Sequence, residues 1–224
     1  MNKQQLISAT ETFVKTTLKN AEGGHDWFHI LRVWNNAKLI AKNENVDEFI
    51  VEMGALLHDI ADAKFHKGDE TVGPKVARKF LESLQVEESI IKHIENIIIH
   101  ISYKSSLPVK NNEQISNKFT SPELNVIQDA DRLDAIGAIG IARCFNYGGF
   151  KNRPMYNPAI KPKLNQTKGA YKNSNAPTIN HFYEKLLLLK DKMNTKTGKQ
   201  LAEERHQYMK AFLTQFYNEW NGTK

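Results

Sequence analysis

Leu56-Leu57-His58-Asp59-Ile60-Ala61-Asp62 places an imidazole and two carboxylates at the end of an apolar segment, and the reading of that segment decides the fold. Asn45 and Asp47 are residues that start helices, and Ile50, Val51, Gly54, Ala55 and Leu57 carry a helical pattern up to His58. Further back, Asp26 is placed to cap a helix in which Phe28, Leu31, Trp34, Ala37 and Ile40 recur in steps of three, a spacing that only a helix gathers on one side. A first helix near residues 4–20 returns Leu6, Ile7, Phe13, Val14 and Leu18 to one face. Beyond His58, the periodicity predicts helices over 69–84, 86–101, 122–146, 178–192 and 196–219. The run Ile90 to Ile101 is rich in β-branched residues, yet Ile90, Ile94, Ile97, Ile98 and Ile101 fit a helical face, so it is read as helix. No period-two alternation competes, and the expected class is all-α.

The chain has 224 residues with 40% hydrophobic and 25% charged residues, an ordinary balance for a globular protein and too apolar for a disordered one. One domain spanning residues 1–224 is expected. The single Cys144 forms no internal disulfide and no thiolate zinc cluster by itself, which removes secreted disulfide scaffolds and zinc fingers. The start, Met1-Asn2-Lys3-Gln4-Gln5, does not read as a signal peptide, and no apolar run approaches the ~18 residues of a membrane span. A cytoplasmic protein with no membrane association is therefore expected.

Two stretches break the helical pattern, Lys104 to Ser121 and Gly148 to Pro177. The second holds Lys151, Arg153, Lys161, Lys163, Lys168 and Lys172 with no acidic residue, so its charge of six equals the formal net charge of +6 for the whole chain. Loops of this length serve as lids or binding elements, or are solvated connectors. A lid closing over a polyanion is the functional reading.

Charged residues interrupt the apolar pattern where burial costs most. Asp129-Ala130-Asp131-Arg132-Leu133-Asp134 lies inside the apolar run from Leu124 to Ile141, and His25-Asp26, His29 and His58-Asp59 fall beside carboxylates. An isolated buried ion is unfavourable by several kcal/mol, so these groups need ionic partners or a metal. Imidazoles and carboxylates converging from separate helices on one divalent cation would compensate them. Spacing alone does not choose among Asp129, Asp131 and Asp134, and whichever is not a ligand is expected to pair with Arg132 or face water.

His29-Ile30-Leu31-Arg32-Val33, then Leu57-His58-Asp59-Ile60, then Ala130-Asp131-Arg132-Leu133 resemble the HD-domain metal-dependent phosphohydrolases, whose pattern is a His, a His-Asp doublet and a distant Asp, all on helices. The resemblance covers about residues 20–150, followed by the basic loop 148–177, and the C-terminal helices over 178–220 look like those of bacterial stand-alone members. It implies a compact helical bundle with two long loops and a single divalent ion, Mn, Fe, Co, Ni or Zn, on His29, His58, Asp59 and Asp131. It also implies attack of metal-bound water on phosphorus, with a nucleotide as the small phosphorylated substrate, by nucleoside triphosphate pyrophosphohydrolase or nucleotide phosphatase action. Asp62, four residues after His58, is the expected general acid or base. Arg32, Lys64, His100, Lys104 and Arg143 are the expected substrate-binding groups. A cyclic-nucleotide phosphodiesterase and a non-catalytic helical nucleic-acid binder are the rival readings. Nucleic acid is the weaker expectation for a partner, and a homodimer is compatible with the chain. His93, His181 and His206 are read as packed histidines outside the site.

Overall fold

Short polar side chains that satisfy first-turn amides mark where the helices begin. Asn2 caps α1 (Lys3–Thr17), accepting from Gln5 N while Gln5 Oε1 accepts from Asn2 N, both at 2.9 Å. Asp26 caps α2 (Trp27–Ala41) and Asp47 caps α3 (Glu48–Leu57). Helices α4 (Val72–Ser83) and α5 (Glu88–His100) follow. Ser121 Oγ accepts from Leu124 N at 3.0 Å and Pro122 takes the first position of α6 (Pro122–Asp134), where a missing N–H costs nothing. The remaining elements are α7 (Gly137–Phe150), α8 (Asn180–Glu184), a 3₁₀ segment (Leu186–Lys192) and α9 (Lys196–Trp220). The computed structural model describes residues 1–19, 21, 26–61, 69, 71–101, 119–164 and 175–223. Among these residues there is no strand, and the protein is all-α.

The chain forms two units, Met1–Asp131 and Arg132–Lys224. The first is built on α3, in which Phe49, Ile50, Val51 and every residue from Met53 to Leu57 are buried. Helices α1, α2 and α5 pack on α3, and α4 packs on α5. At Gly54 an added Cβ would lie 2.6 Å from Ile127 Cδ1, so the Ile127 side chain of α6 would have to shift, while Ile97 Cδ1 of α5, at 3.4 Å, stands at ordinary contact. Arg78 of α4 joins α5 through Glu88 and Glu95, and its guanidinium holds the Glu88 carboxyl below its ordinary range.

In the second unit α7 packs on α9, and both α8 and α9 pack on the 3₁₀ segment. Phe145, Phe182 and Phe212 meet with centroids 5.9 to 6.1 Å apart, and Tyr156 lies 5.0 Å from Trp220. A Cβ at Gly148 would lie 2.2 Å from Thr178 Oγ1, which is why glycine stands where the chain returns against α7.

Three expectations are corrected. The helix expected over 122–146 is two helices, because Ile136 is extended at φ −127° and Gly137 adopts φ +73°, a left-handed conformation that suits glycine. The segment 178–192 is a short α-helix and a 3₁₀ turn parted at Lys185, whose φ of −145° and ψ of −58° are not helical. The core face of α2 comprises Ile30, Val33, Trp34, Ala37, Ile40 and Ala41, whereas Phe28 is exposed. Of the two expected loops, residues 102–118 and 165–174 lie outside the described residues, and α7 extends past Gly148 to Phe150.

Candidate metal centre

His29 enters the site from the first turn of α2, where its N–H is fixed by the Asp26 carboxylate at 2.9 Å. The corrected face of α2 carries its side chain inward, and it is buried. His58 follows the last residue of α3, with its Nδ1 2.8 Å from the carbonyl oxygen of Ala55. A carbonyl only accepts, so Nδ1 bears a proton, and in the neutral tautomer this fixes, Nε2 holds the lone pair. Asp131 comes from α6. The contact of Gly54 with the Ile127 side chain stands one turn before His58 on α3 and one turn before Asp131 on α6. Asn36 of α2 donates from Nδ2 to Ala130 O at 3.4 Å, tying the helix of His29 to the residue beside Asp131.

The ligand atoms of His29, His58 and Asp131 all lie within 4.8 Å of one another. His29 Nε2 is 3.6 Å from Asp131 Oδ1, and the two imidazoles meet edge-on with centroids 5.5 Å apart. Both histidines are buried, while the Asp131 side chain is 43% exposed, so this carboxylate forms the side of the site open to solvent. The buried His58 Nε2 has no hydrogen-bond partner among the described residues. An orphaned buried nitrogen costs about 1–3 kcal/mol, and a cation on its lone pair removes that cost. Two imidazole nitrogens and a carboxylate oxygen without thiolate fit Mn²⁺, Fe²⁺, Co²⁺, Ni²⁺ or Zn²⁺.

The other expected site residues divide by position. Asp59 follows His58, is half-buried, and is outside the group of three. Asp62, Lys64 and Lys104 lie outside the described residues, as do His25, Lys168 and Lys172. Arg32 is half-buried on α2, three residues after His29. His100 ends α5, its Nδ1 2.8 Å from Asn96 O, while its own carbonyl accepts from Gln128 Nε2 at 3.0 Å. Arg143, in the second unit, forms an ion pair with the Asp134 carboxylate and donates to Asp134 O at 3.2 Å. That pair corrects the expectation for the spare carboxylates. Asp129 and Asp134 are both buried rather than facing water, and Arg132 donates to Lys192 O at 2.7 Å. His93 Nε2 lies 3.0 Å from Ser121 Oγ and 3.4 Å from Glu123 Oε2, as a packed histidine. Sequence reasoning missed Asn36 and the Ala55 carbonyl. A backbone acceptor carries no residue-type signal, whereas a glycine inside an apolar helix does signal close approach, as at Gly54.

These features, His29 on one helix, His58-Asp59 closing the next and Asp131 on a third, define the class: the chain belongs to the HD superfamily and is a metal-dependent hydrolase. The HD domain model matches residues 27–136, from the start of α2 through Asp131. The chain is 37% identical over 215 residues to the Bacillus subtilis protein YpgQ, covering 96% of this chain and 94% of that protein. An HD-superfamily hydrolase from Bacillus thuringiensis superposes with a TM-score of 0.77 at 46% identity, covering 98% of this chain and 99% of the other. The crystal structure of YpgQ in complex with ADP superposes with a TM-score of 0.73 at 33% identity, covering 98% and 97%. No helix among the described residues is long and apolar enough to cross a membrane.

Proposed function

We propose that this hydrolase acts on nucleotides, releasing pyrophosphate from nucleoside triphosphates or phosphate from nucleotides. His29, His58, Asp59 and Asp131 hold one divalent ion in this reading. The observation that carries it is the buried lone pair of His58 Nε2 facing a second imidazole and a partly open carboxylate. The binding of ADP by the related YpgQ supports the choice of substrate class.

When bound, the ion polarises a phosphoryl oxygen and lowers the pKa of water, supplying the electrophile and nucleophile of hydrolysis. The chain supplies the rest. The Ala55 carbonyl holds His58 in one tautomer and orientation, as outer acceptors do for ligand histidines. Arg32, on the helix of His29, offers a planar fork to phosphate oxygens. Lys64 and Lys104 add positive charge for a polyphosphate, His100 offers a ring nitrogen for hydrogen bonding, and Asp62 is the proton carrier.

The test is a screen of nucleoside triphosphates, monophosphates and simple phosphomonoesters with each divalent cation, with products read by phosphorus NMR. Metal-dependent release of pyrophosphate or phosphate from a nucleotide is expected. Hydrolysis that persists after chelation, or confinement to substrates without a nucleoside, contradicts the proposal.

A further inference from the structure

Helix α2 carries three aromatic residues beside or within the stretch that supplies His29, and two of them are engaged. Lys15 Nζ stands 4.6 Å over the Trp27 ring. Trp34 is buried, receives Lys38 Nζ over its ring at 4.0 Å and donates from Nε1 to Glu52 Oε2 at 2.9 Å. Phe28 differs. It is 63% exposed and makes no ring or cation contact among the described residues. Its apolar surface stays in water although the next residue, His29, is buried.

Helix geometry places that ring beside the site. Arg32 lies four residues beyond Phe28 and three beyond His29, so it neighbours both on the helix surface, whereas Phe28 and His29 themselves diverge by about 100°. The rise of about 1.5 Å per residue separates Phe28 from Arg32 by only about 6 Å along the axis. Arg32 thus links an exposed aromatic face to an ion ligand on the same helix. A nucleotide has the matching parts, a flat base with a π-face at one end and phosphate oxygens at the other.

We propose that Phe28 is the base-contacting residue of this site, its exposed ring stacking on the nucleobase while Arg32 and the ion site take the phosphates. This inference rests on the nucleotide reading above and adds the group that separates a nucleotide from bare phosphate. Base stacking on an aromatic side chain tolerates every base, so Phe28 confers affinity for nucleosides without choosing among them.

Equilibrium binding of ADP and of pyrophosphate to the Mn²⁺-supplemented full chain tests it, comparing wild type with Phe28→Ala and Phe28→Trp. Phe28→Ala is expected to weaken ADP binding about tenfold, leave pyrophosphate binding unchanged and keep the melting temperature, because the ring is exposed. Phe28→Trp is expected to restore ADP affinity. ADP affinity that Phe28→Ala does not alter, loss of ADP and pyrophosphate affinity together, or a wild type that binds no ADP overturns the inference. The parent reading fails separately, when substitution of His58 or Asp131 leaves metal-dependent hydrolysis intact.

Discussion

His58 has two nitrogens in opposite circumstances, one spent on the Ala55 carbonyl and one buried without a partner. His181, half-buried, has an environment that disfavours its charged form. Burial, with Lys185 and Arg153 adding positive charge, pushes its pKa down from 6.5 to about 3. Below pH 6.5 the unfolded chain therefore takes up this proton while the folded chain resists until about pH 3, so stability falls on acidification through that window. The melting temperature of His181→Gln is expected to decline less steeply than wild type between pH 6.5 and pH 4. Parallel slopes would remove His181 as a source of acid sensitivity. Residue type and order marked His29, His58 and the carboxylates of residues 129–134 as groups needing compensation, and the resemblance to the HD-domain phosphohydrolases chose Asp131 among them. The pairing of Asp134 with Arg143 was not legible, since it depends on which helix faces which.

At the scale of elements, the helices were readable from period and caps, and their breaks were not. Gly137 turns the chain inside a run of small and apolar residues, where no shift in composition marks the boundary. The stripe Phe28, Leu31, Trp34, Ala37 and Ile40 placed Phe28 in the core, whereas Ile30 and Val33 complete the buried face. The Gly54 contact gives a prediction at this scale. Gly54→Ala drives a methyl into Ile127, an overpacking cost of about 1–3 kcal/mol that a gain of about 1 kcal/mol in helix propensity partly offsets. Ile127→Val removes the Cδ1 atom that is struck. Thermal melts are expected to show the double variant losing less stability than the two single changes together, by about 1 kcal/mol or more. Gly54→Ala alone is expected to weaken Mn²⁺ binding, because α6 carries Asp131. Strict additivity with unchanged Mn²⁺ affinity would sever the link between this contact and the site.

For the molecule as a whole, folding and ion binding are linked, because the three convergent ligands come from α2, the end of α3 and α6, and the unfolded chain scatters them. Mn²⁺ at about 100 times its dissociation constant is expected to stabilise the fold by about 2.7 kcal/mol, read as a higher melting temperature that a chelator reverses. The positive charge of residues 151–172 accounts for the whole formal excess of +6, so the rest of the chain is balanced. The central claim is that His29, His58 and Asp131 share one ion, and equilibrium dialysis of Mn²⁺ against wild type and Asp131→Asn tests it most directly. Asp131 is partly exposed, so the variant keeps its fold. Wild type is predicted to bind one ion per chain, and Asp131→Asn to bind it at least about 100-fold more weakly. Equal affinity in the two proteins, or no ion bound by wild type, would contradict the account.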